Sequence, residues 1–135
     1  MEYKRNDATL NRPGGDRVLD APFVYMDLDK YTEQVKEEEA WEKNDRNGIT
    51  IFKTDMLTTV LTCLHKGASI KNNEVDGLFQ VHVLDGRVRV TTFDGDIDMK
   101  ENEMITFHPH VPHTIEAVKK STLLLQTIEG KNAIQ

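Results

Sequence analysis

Three histidines lie close together near the end of the sequence, at His108, His110 and His113. Residues two apart on an extended backbone face the same side, so His108 and His110 could present two imidazoles to one divalent transition metal. Pro109 makes the local chain direction uncertain, and His113 is an odd number of residues from His110. A metal site formed by His108, His110 and His113, with His82 as a further ligand, is therefore kept as an alternative hypothesis.

The other reactive side chains give weaker signals. Glu74 and Asp76 precede a predicted strand and could act as acid or base, although exposed loop carboxylates usually serve only solvation. His65 precedes a predicted turn, where a solvated histidine is expected. Cys63 lies in a β-branched run without a basic neighbour, which favours a core residue over a nucleophile.

The elements that must position these side chains are mainly strands. From Ile49 onward, turns separate the runs ITIFK, MLTTVLTCL, LFQVHVLD, RVRVTTF, DIDMK, MITFH, HTIEAV and TLLLQTI. Asp85-Gly86 and Asp94-Gly95 are tight-turn dipeptides, so successive strands should be antiparallel neighbours. Closing about eight strands into a barrel or jelly roll removes exposed edges. The sequence thus predicts an all-β barrel over residues 49–130, in a single domain.

The residues before this barrel are expected to pack on its outside. The polar residues 1–20 contain a Pro-Gly-Gly turn and predict a loose arm. Within residues 21–48, the apolar run Phe23–Met26 predicts a strand, and Asp29 predicts the N-cap of one helix running to about Arg46. On that helix Glu39 should pair with a lysine four residues on, and Trp41 should cover the barrel end or an interface.

Composition excludes several function classes. The chain has 135 residues, a size that suits one domain, and a formal net charge of -6, which would repel phosphate backbones and anionic lipid. Nucleic acid and membrane are therefore not expected as partners. The single cysteine cannot form an internal disulfide, and the polar first residues lack an apolar leader, so a cytoplasmic location is expected.

Two segments resemble the signature motifs of the cupin superfamily. The first family motif is Gly, five residues, His-x-His, three or four residues, Glu, six residues, Gly. The same spacing here falls on Gly67, Asn73, Val75, Phe79 and Gly86. The second motif is Gly, five residues, Pro-x-Gly, two residues, His, three residues, Asn. The corresponding residues here are Glu103, Pro109, Val111, His113 and Ala117, with one residue instead of two between Val111 and His113.

The resemblance implies an RmlC-like jelly-roll β-barrel with one short N-terminal helix and degenerate metal-binding motifs. Metal-binding cupins coordinate a divalent metal through the two histidines and the glutamate of the first motif and the histidine of the second. Those positions correspond here to Asn73, Val75, Phe79 and His113. Valine and phenylalanine offer no lone pair, and an amide oxygen is a weak ligand for transition metals, so no metal cofactor is expected.

The period-two rule gives a separate indication of what fills the barrel. It places His113 with Ile115 and Ala117 on the inner face of one strand, and Phe79 with Val81 on the inner face of another. An inward histidine is either a neutral core residue bonded to a neighbour or a ligand contact, and both readings stay open. The predicted pocket residues are Asn73, Phe79, Val81, His110, His113 and Ile115.

Three functional hypotheses follow. The main one is a cupin that binds a small organic molecule in the barrel without the usual metal. The first alternative is a metal-dependent isomerase or dioxygenase that uses His110 and His113 with a divalent transition metal. The second alternative is a dimeric scaffold, since the family resemblance implies a homodimer and the N-terminal arm and residues 22–28 could be exchanged between subunits.

Overall fold

The computed structural model describes residues 3–10 and 12–129, which form eleven strands and two helices. The elements are β1 (Lys4–Asn6), β2 (Arg17–Asp20), α1 (Leu28–Glu37), α2 (Glu39–Lys43), β3 (Arg46–Lys53), β4 (Leu57–Leu64), β5 (Ser69–Asn73), β6 (Leu78–Asp85), β7 (Arg87–Thr92), β8 (Gly95–Lys100), β9 (Met104–Phe107), β10 (His113–Ala117) and β11 (Ser121–Ile128). Neither helix is long and apolar enough to cross a membrane.

Two antiparallel sheets face each other and form the barrel. The larger has the strand order β3-β4-β11-β6-β9 and the smaller has the order β5-β10-β7-β8. Strands that are distant in sequence therefore lie side by side, as in the contact of β10 with both β5 and β7. The predicted all-β class is confirmed. β5 has no counterpart among the predicted strands, because its sequence SIKNN lacks an apolar alternation.

The space between the two sheets is a packed apolar core. Val81 and Val83 of β6, Val88 and Val90 of β7 and Ile115 of β10 are all 0% exposed. Fully burying such a side chain stabilises the fold by about 1.5–3 kcal/mol. The alternation of buried and partly exposed residues along β6 and β10 confirms the predicted inner faces of both strands.

A second apolar core lies outside the barrel, between the helices and the large sheet. Val35 and Trp41 from the helices pack there against Ile49 of β3 and Leu61 and Cys63 of β4. Trp41 is therefore a core residue of the helix-to-sheet layer. Burial confirms Cys63 as a core residue and raises the pKa of its thiol, which disfavours the nucleophilic thiolate.

His65 closes the edge of this second core. Its ring stacks on that of Trp41 with centroids 3.5 Å apart. Its Nε2 lies 2.7 Å from the Trp41 carbonyl oxygen, to which it donates a hydrogen bond. The prediction of a freely solvated histidine at this turn is wrong, because Trp41, distant in sequence, provides both a stacking surface and an acceptor.

The segment before the barrel differs from the prediction in two places. Phe23–Met26 forms no strand. The single helix expected from Asp29 to Arg46 is two helices, and its N-cap is Asp27, whose side chain accepts a hydrogen bond from the Lys30 amide. The predicted Glu39–Lys43 ion pair on α2 is confirmed. β3 begins at Arg46, three residues before the expected start of the barrel.

The break between the helices lies at Glu38, whose backbone is extended. Its carboxylate accepts hydrogen bonds from Arg12 Nε at 2.9 Å and from Asn47 Nδ2 at 3.0 Å. Arg12 also donates to the Gly48 carbonyl at 2.6 Å, and Asn47 donates to the Val35 carbonyl at the end of α1. These bonds fasten the N-terminal region to β3. Together with the β1–β2 hairpin, they show that the described part of residues 1–20 is not a loose arm.

Candidate functional site

The predicted site residues that the structure brings together lie at one end of the barrel, here called the barrel mouth. β5 ends there at Asn73 and β9 at Phe107, while β10 begins at His113 and β6 has Phe79 near its start. Asn73 pairs with His113 across two strands of the small sheet, and Phe79 pairs with Phe107 across two strands of the large one. The barrel mouth therefore combines one polar pair with one aromatic pair.

Both ring nitrogens of His113 are hydrogen-bonded. Nδ1 lies 3.0 Å from the Val111 carbonyl oxygen, and a carbonyl can only accept, so Nδ1 carries a proton and donates it. Nε2 lies 3.1 Å from Asn73 Nδ2. In a neutral imidazole with the proton on Nδ1, Nε2 is an acceptor, so the Asn73 amide donates to it.

The surroundings of His113 favour this neutral form. The residue is only 3% exposed. Burial lowers the pKa of His113 below the ordinary histidine value, and the hydrogen bond to Val111 opposes that shift only in part. The lone pair of Nε2, which a metal would need, thus points at an amide N–H. No buried side-chain nitrogen or oxygen within the described residues lacks a hydrogen-bond partner.

Aromatic rings hold the imidazole on its faces. The Phe107 ring is stacked on it with centroids 4.0 Å apart and planes 10° apart. The Phe79 ring is also nearly parallel to it, at 5.3 Å. Phe107 was not among the predicted site residues. Alternate residues of a strand share a face, so the run MITF (residues 104–107) would have placed Phe107 on the inner face together with Ile105. Ile105 also packs against the barrel core.

Two loops meet at the barrel mouth, residues 74–77 between β5 and β6 and residues 108–112 between β9 and β10. The His110 amide donates to the Val75 carbonyl at 2.9 Å, which joins the loops. The side chains of Val75 and Val111 pack against the barrel core. The two valines therefore extend the apolar core, which includes Phe79 and Phe107, at this end of the barrel.

His110 does not line the barrel interior, contrary to the prediction. Its φ of 64° turns the chain, and its side chain is 61% exposed. The ring lies between two carboxylates of the facing loop, with Nδ1 3.4 Å from Glu74 Oε1 and Nε2 3.1 Å from Asp76 Oδ1. His110 connects the loops at the surface, and His113 lies beneath them.

Two other predicted pocket residues belong to the core. Val81 and Ile115 are 0% exposed and pack against their neighbours inside the barrel. They face the interior as the period-two rule predicted, but a ligand cannot reach them in this conformation. The part of the predicted pocket that lies at the barrel mouth consists of Asn73, Phe79 and His113.

The residues present do not fit the divalent metal that the resemblance implies for related barrels. Of the four corresponding positions, Val75 and Phe79 offer no donor atom, and the amide of Asn73 is engaged with His113. The alternative set of His108, His110 and His113 is not assembled either, because His108 is exposed and His110 faces the carboxylates of the 74–77 loop. Within residues 3–10 and 12–129, no group of three or more histidine, cysteine, aspartate or glutamate side chains is arranged to hold a metal ion.

Three of the surface cavities lie in the N-terminal region. One of about 280 Å³ is bounded by Arg12, Arg17 and Glu38 among other polar residues. The guanidinium groups there already donate to Glu38 and to backbone carbonyls. A second, of about 450 Å³, is mainly apolar and is bounded by Tyr3, Tyr31 and residues 21–25. A third, of about 660 Å³, lies beside it, between β1 and residues 54–56.

Comparison with known proteins identifies the fold. No protein-family model matches the sequence, and no curated protein matches it. Among solved structures, a cupin superfamily protein from Desulfitobacterium hafniense has a TM-score of 0.61 and 21% identity, over 63% of this chain and 78% of that one. A conserved protein of unknown function from Streptococcus pyogenes has a TM-score of 0.65 and 22% identity, over 82% of this chain and 91% of that one.

An RmlC-like cupin from Shewanella frigidimarina adds a TM-score of 0.60 at 14% identity, over 67% of this chain and 82% of that one. At such identities the likeness extends to the fold alone. The chain has the RmlC-like cupin fold, and the predicted fold class is confirmed.

Proposed function

We propose that this cupin-fold chain binds a small organic molecule at the barrel mouth without a divalent metal. The Asn73–His113 hydrogen bond carries this proposal, because it occupies the one imidazole lone pair that a metal would need. The rest of the Asn73 amide stays available beside aromatic side chains, and a polar group among apolar ones is the usual composition of a small-molecule site.

The Asn73 side chain is the polar group that a ligand could reach. It is half-buried, and within the described residues its only side-chain hydrogen bond is the one to His113. An amide carries one oxygen acceptor and two N–H donors, so Oδ1 and one N–H remain for a ligand. This pair of groups suits a neutral ligand that offers a donor and an acceptor side by side.

The remaining surface of the barrel mouth is apolar. Phe79 and Phe107 are each 6% exposed, and Val75 and Val111 are half-buried above them. A planar organic molecule that enters between the two loops would contact these side chains and place its polar edge against Asn73. If the ligand ring displaced the Val75 and Val111 side chains, it would keep the apolar surface of Phe79 and Phe107 buried in their place.

Binding of benzamide and benzoate tests the proposal. Both are planar, but only benzamide offers a donor as well as an acceptor. We expect benzamide to shift the NMR signals of Asn73, Phe107 and His113, and to bind more tightly than benzoate. In Asn73→Leu the benzamide affinity should fall about tenfold, as loss of a hydrogen bond predicts, whereas His108→Ala should bind as the parent does.

Benzamide-induced signal shifts confined to another surface, or equal benzamide affinity of the parent and Asn73→Leu, would contradict the proposal.

Metal analysis of the same protein tests the metal-dependent alternative. Protein purified without a histidine tag should retain no stoichiometric metal. Retention of iron, zinc, manganese or nickel that His113→Ala abolishes would favour an isomerase or dioxygenase instead.

A further inference from the structure

The cavity of about 280 Å³ in the N-terminal region is lined by two arginine side chains, of which only one has an acidic partner. Arg12 forms an ion pair with Glu38, with Nε and Oε2 2.9 Å apart. Arg17, at the start of β2, forms no ion pair within the described residues. Its Nε and Nη1 each donate at 2.6 Å, to the carbonyls of Thr50 and Gly15. These acceptors are neutral, so the charge of Arg17 is not compensated.

Gly15 contacts both arginine side chains. It is buried, and a Cβ at this position would lie 2.6 Å from Cγ of Arg12, so a larger residue would displace the Arg12 side chain. The Gly15 carbonyl accepts the hydrogen bond from Arg17. One residue thus positions both arginines in the wall of the same cavity.

The surroundings of Arg17 make this wall a positive centre. Burial lowers the pKa of Arg17 and the charge of Arg12 lowers it further, whereas Tyr31 and Glu38 offset the shift only in part. A guanidinium nevertheless stays protonated at neutral pH. An anion bound beside Arg17 would therefore stabilise a charge that the protein itself leaves without a partner.

The Arg17 guanidinium keeps hydrogen-bond donors for such an anion. Of its five N–H groups, those that bond to described residues are one on Nε and one on Nη1. Three N–H groups remain, two on Nη2 and one on Nη1. Planar arrays of guanidinium N–H groups are the preferred protein partners of carboxylates.

The cavity wall also contains an acidic side chain without an ion pair. Asp7 is exposed, follows β1 directly, and takes part in no salt bridge within residues 3–10 and 12–129. Because Arg12 and Glu38 neutralise each other, Arg17 and Asp7 are the two uncompensated charges of the wall. The remaining lining residues carry no charge: Asn6, Thr9, Ala40 and Asn47. A ligand with one carboxylate and one ammonium group matches this wall, whereas a doubly charged anion would oppose Asp7.

We propose that this cavity binds a small zwitterion of the α-amino-acid type, with its carboxylate on Arg17 and its ammonium group at Asp7. A cavity of about 280 Å³ is smaller than the usual site of a drug-sized ligand and suits a molecule of this size. Asn6 and Thr9 can supply further hydrogen bonds. The cavity shares no lining residue with the barrel mouth, so the proposal does not depend on ligand binding there.

Titration with L-alanine and with propionate tests the proposal. Propionate has the same carbon chain and carboxylate but lacks the ammonium group. We expect L-alanine to shift the NMR signals of the Arg17 Nε–H and the Asp7 amide in a saturable way. Its affinity should exceed that of propionate about fivefold, as an ion pair with an exposed carboxylate predicts. In Asp7→Asn this preference should disappear, whereas Asp94→Asn in the exposed β7–β8 turn is the matched control and should keep it.

Arg17→Lys tests the carboxylate contact. Lysine keeps the charge but has no planar fork, so the affinity for both probes should fall about tenfold. Arg89→Lys is the control, because Arg89 is paired with Asp98 on the exposed face of the small sheet and should not affect binding. Unchanged melting temperatures would show that the variants remain folded, and Asp7→Asn, at an exposed position, decides the matter if Arg17→Lys is destabilised.

Three outcomes would overturn the proposal. The first is the absence of saturable signal shifts at millimolar L-alanine. The second is equal affinity of the parent for L-alanine and propionate. The third is an undiminished preference for L-alanine in Asp7→Asn, which would show that the ammonium group of the ligand does not lie at this carboxylate.

Discussion

Asn73 and His113 are directly paired across β5 and β10, and their side chains are joined by a hydrogen bond of 3.1 Å between Nδ2 and Nε2. In the motifs that this sequence resembles, both positions carry metal-ligating histidines. Here an amide lies at the first position and donates its N–H to the imidazole at the second. The Nε2 lone pair of His113 is therefore already engaged.

Replacing His113 with alanine should destabilise the fold. The change leaves a cavity beside Phe107 and Phe79 and removes the acceptor for Asn73. Loss of a large buried side chain and of its hydrogen bonds predicts a decrease of about 2–4 kcal/mol in the free energy of unfolding. Urea denaturation measures this decrease. The exposed His108→Ala variant should be almost unchanged, and an equal loss in both variants would contradict the structural role of His113.

Stability should depend on pH through the same residue. Because the folded protein has a lowered pKa at His113, the unfolded chain binds more protons once the pH falls below the ordinary histidine pKa of about 6.5. The contribution of neutral His113 to the free energy of unfolding is therefore complete above that pH. It is lost as the pH falls towards the lowered pKa of the folded protein. His113→Phe keeps an aromatic ring but has no titratable nitrogen.

The difference in unfolding free energy between the parent and His113→Phe should be constant above about pH 6.5 and should fall at lower pH. Denaturation curves of both proteins at several pH values provide this comparison, in which the titration of the carboxylates cancels. Two parallel pH profiles would show that His113 is not held in the neutral form.

Breaking the contact at Glu38 should loosen the N-terminal region. The Arg12 and Glu38 side chains are 22% and 10% exposed. Burial by itself raises the pKa of Glu38, but hydrogen bonds from Arg12, Asn47 and Gln34 outweigh it, so the pKa is lowered overall. Glu38→Ala should lower the free energy of unfolding by roughly 2–3 kcal/mol. This is less than the loss expected on breaking a fully buried ion pair, because Arg12 keeps some contact with water.

Glu39→Ala is the control for this variant, since the Glu39–Lys43 pair is exposed on the same helix region and should contribute little. Amide hydrogen exchange provides a second measurement. In Glu38→Ala the residues around β1 and β2 should exchange faster, while the barrel strands keep their protection. Equal effects of the two variants would mean that the Arg12–Glu38 contact does not fasten this region.

Two tight turns should differ in their tolerance of a side chain. Gly86 and Gly95 have φ values of 98° and 111°. A Cβ at Gly86 would lie 2.5 Å from the Lys120 carbonyl oxygen, whereas one at Gly95 would meet no atom within 4 Å. Gly86→Ala should therefore lower the free energy of unfolding by about 2–4 kcal/mol. Gly95→Ala should lower it by only about 1 kcal/mol, from backbone strain. Thermal unfolding of both variants checks the order, and the reverse order would contradict it.

The sequence allowed the barrel interior to be predicted because each inner face repeats with period two. That rule placed His113, Ile115 and Ala117 inside correctly, and the Asp85-Gly86 dipeptide correctly predicted the turn at Gly86. It failed for His110, since the turn at that residue changes the direction of the side chain in a way that counting along a strand cannot show.

The region before the barrel was harder to predict because distant residues determine it. No glycine or proline marks the helix break at Glu38, which depends instead on Arg12 and Asn47. β1 has only three residues, all exposed, and so carries no burial pattern. The hydrogen bonding of His113 likewise depends on a cross-strand neighbour forty residues away, which no local pattern reveals.

The protonation state of His113 tests the central claim most directly. Long-range ¹H–¹⁵N correlation spectra at pH 7.5 should show a proton on Nδ1 and an acceptor-type Nε2, and both signals should stay unchanged when equimolar Zn²⁺ or Fe²⁺ is added. A proton on Nε2, or a shift of Nε2 to a metal-bound position together with metal that survives dialysis, would contradict the claim that Asn73 occupies this lone pair.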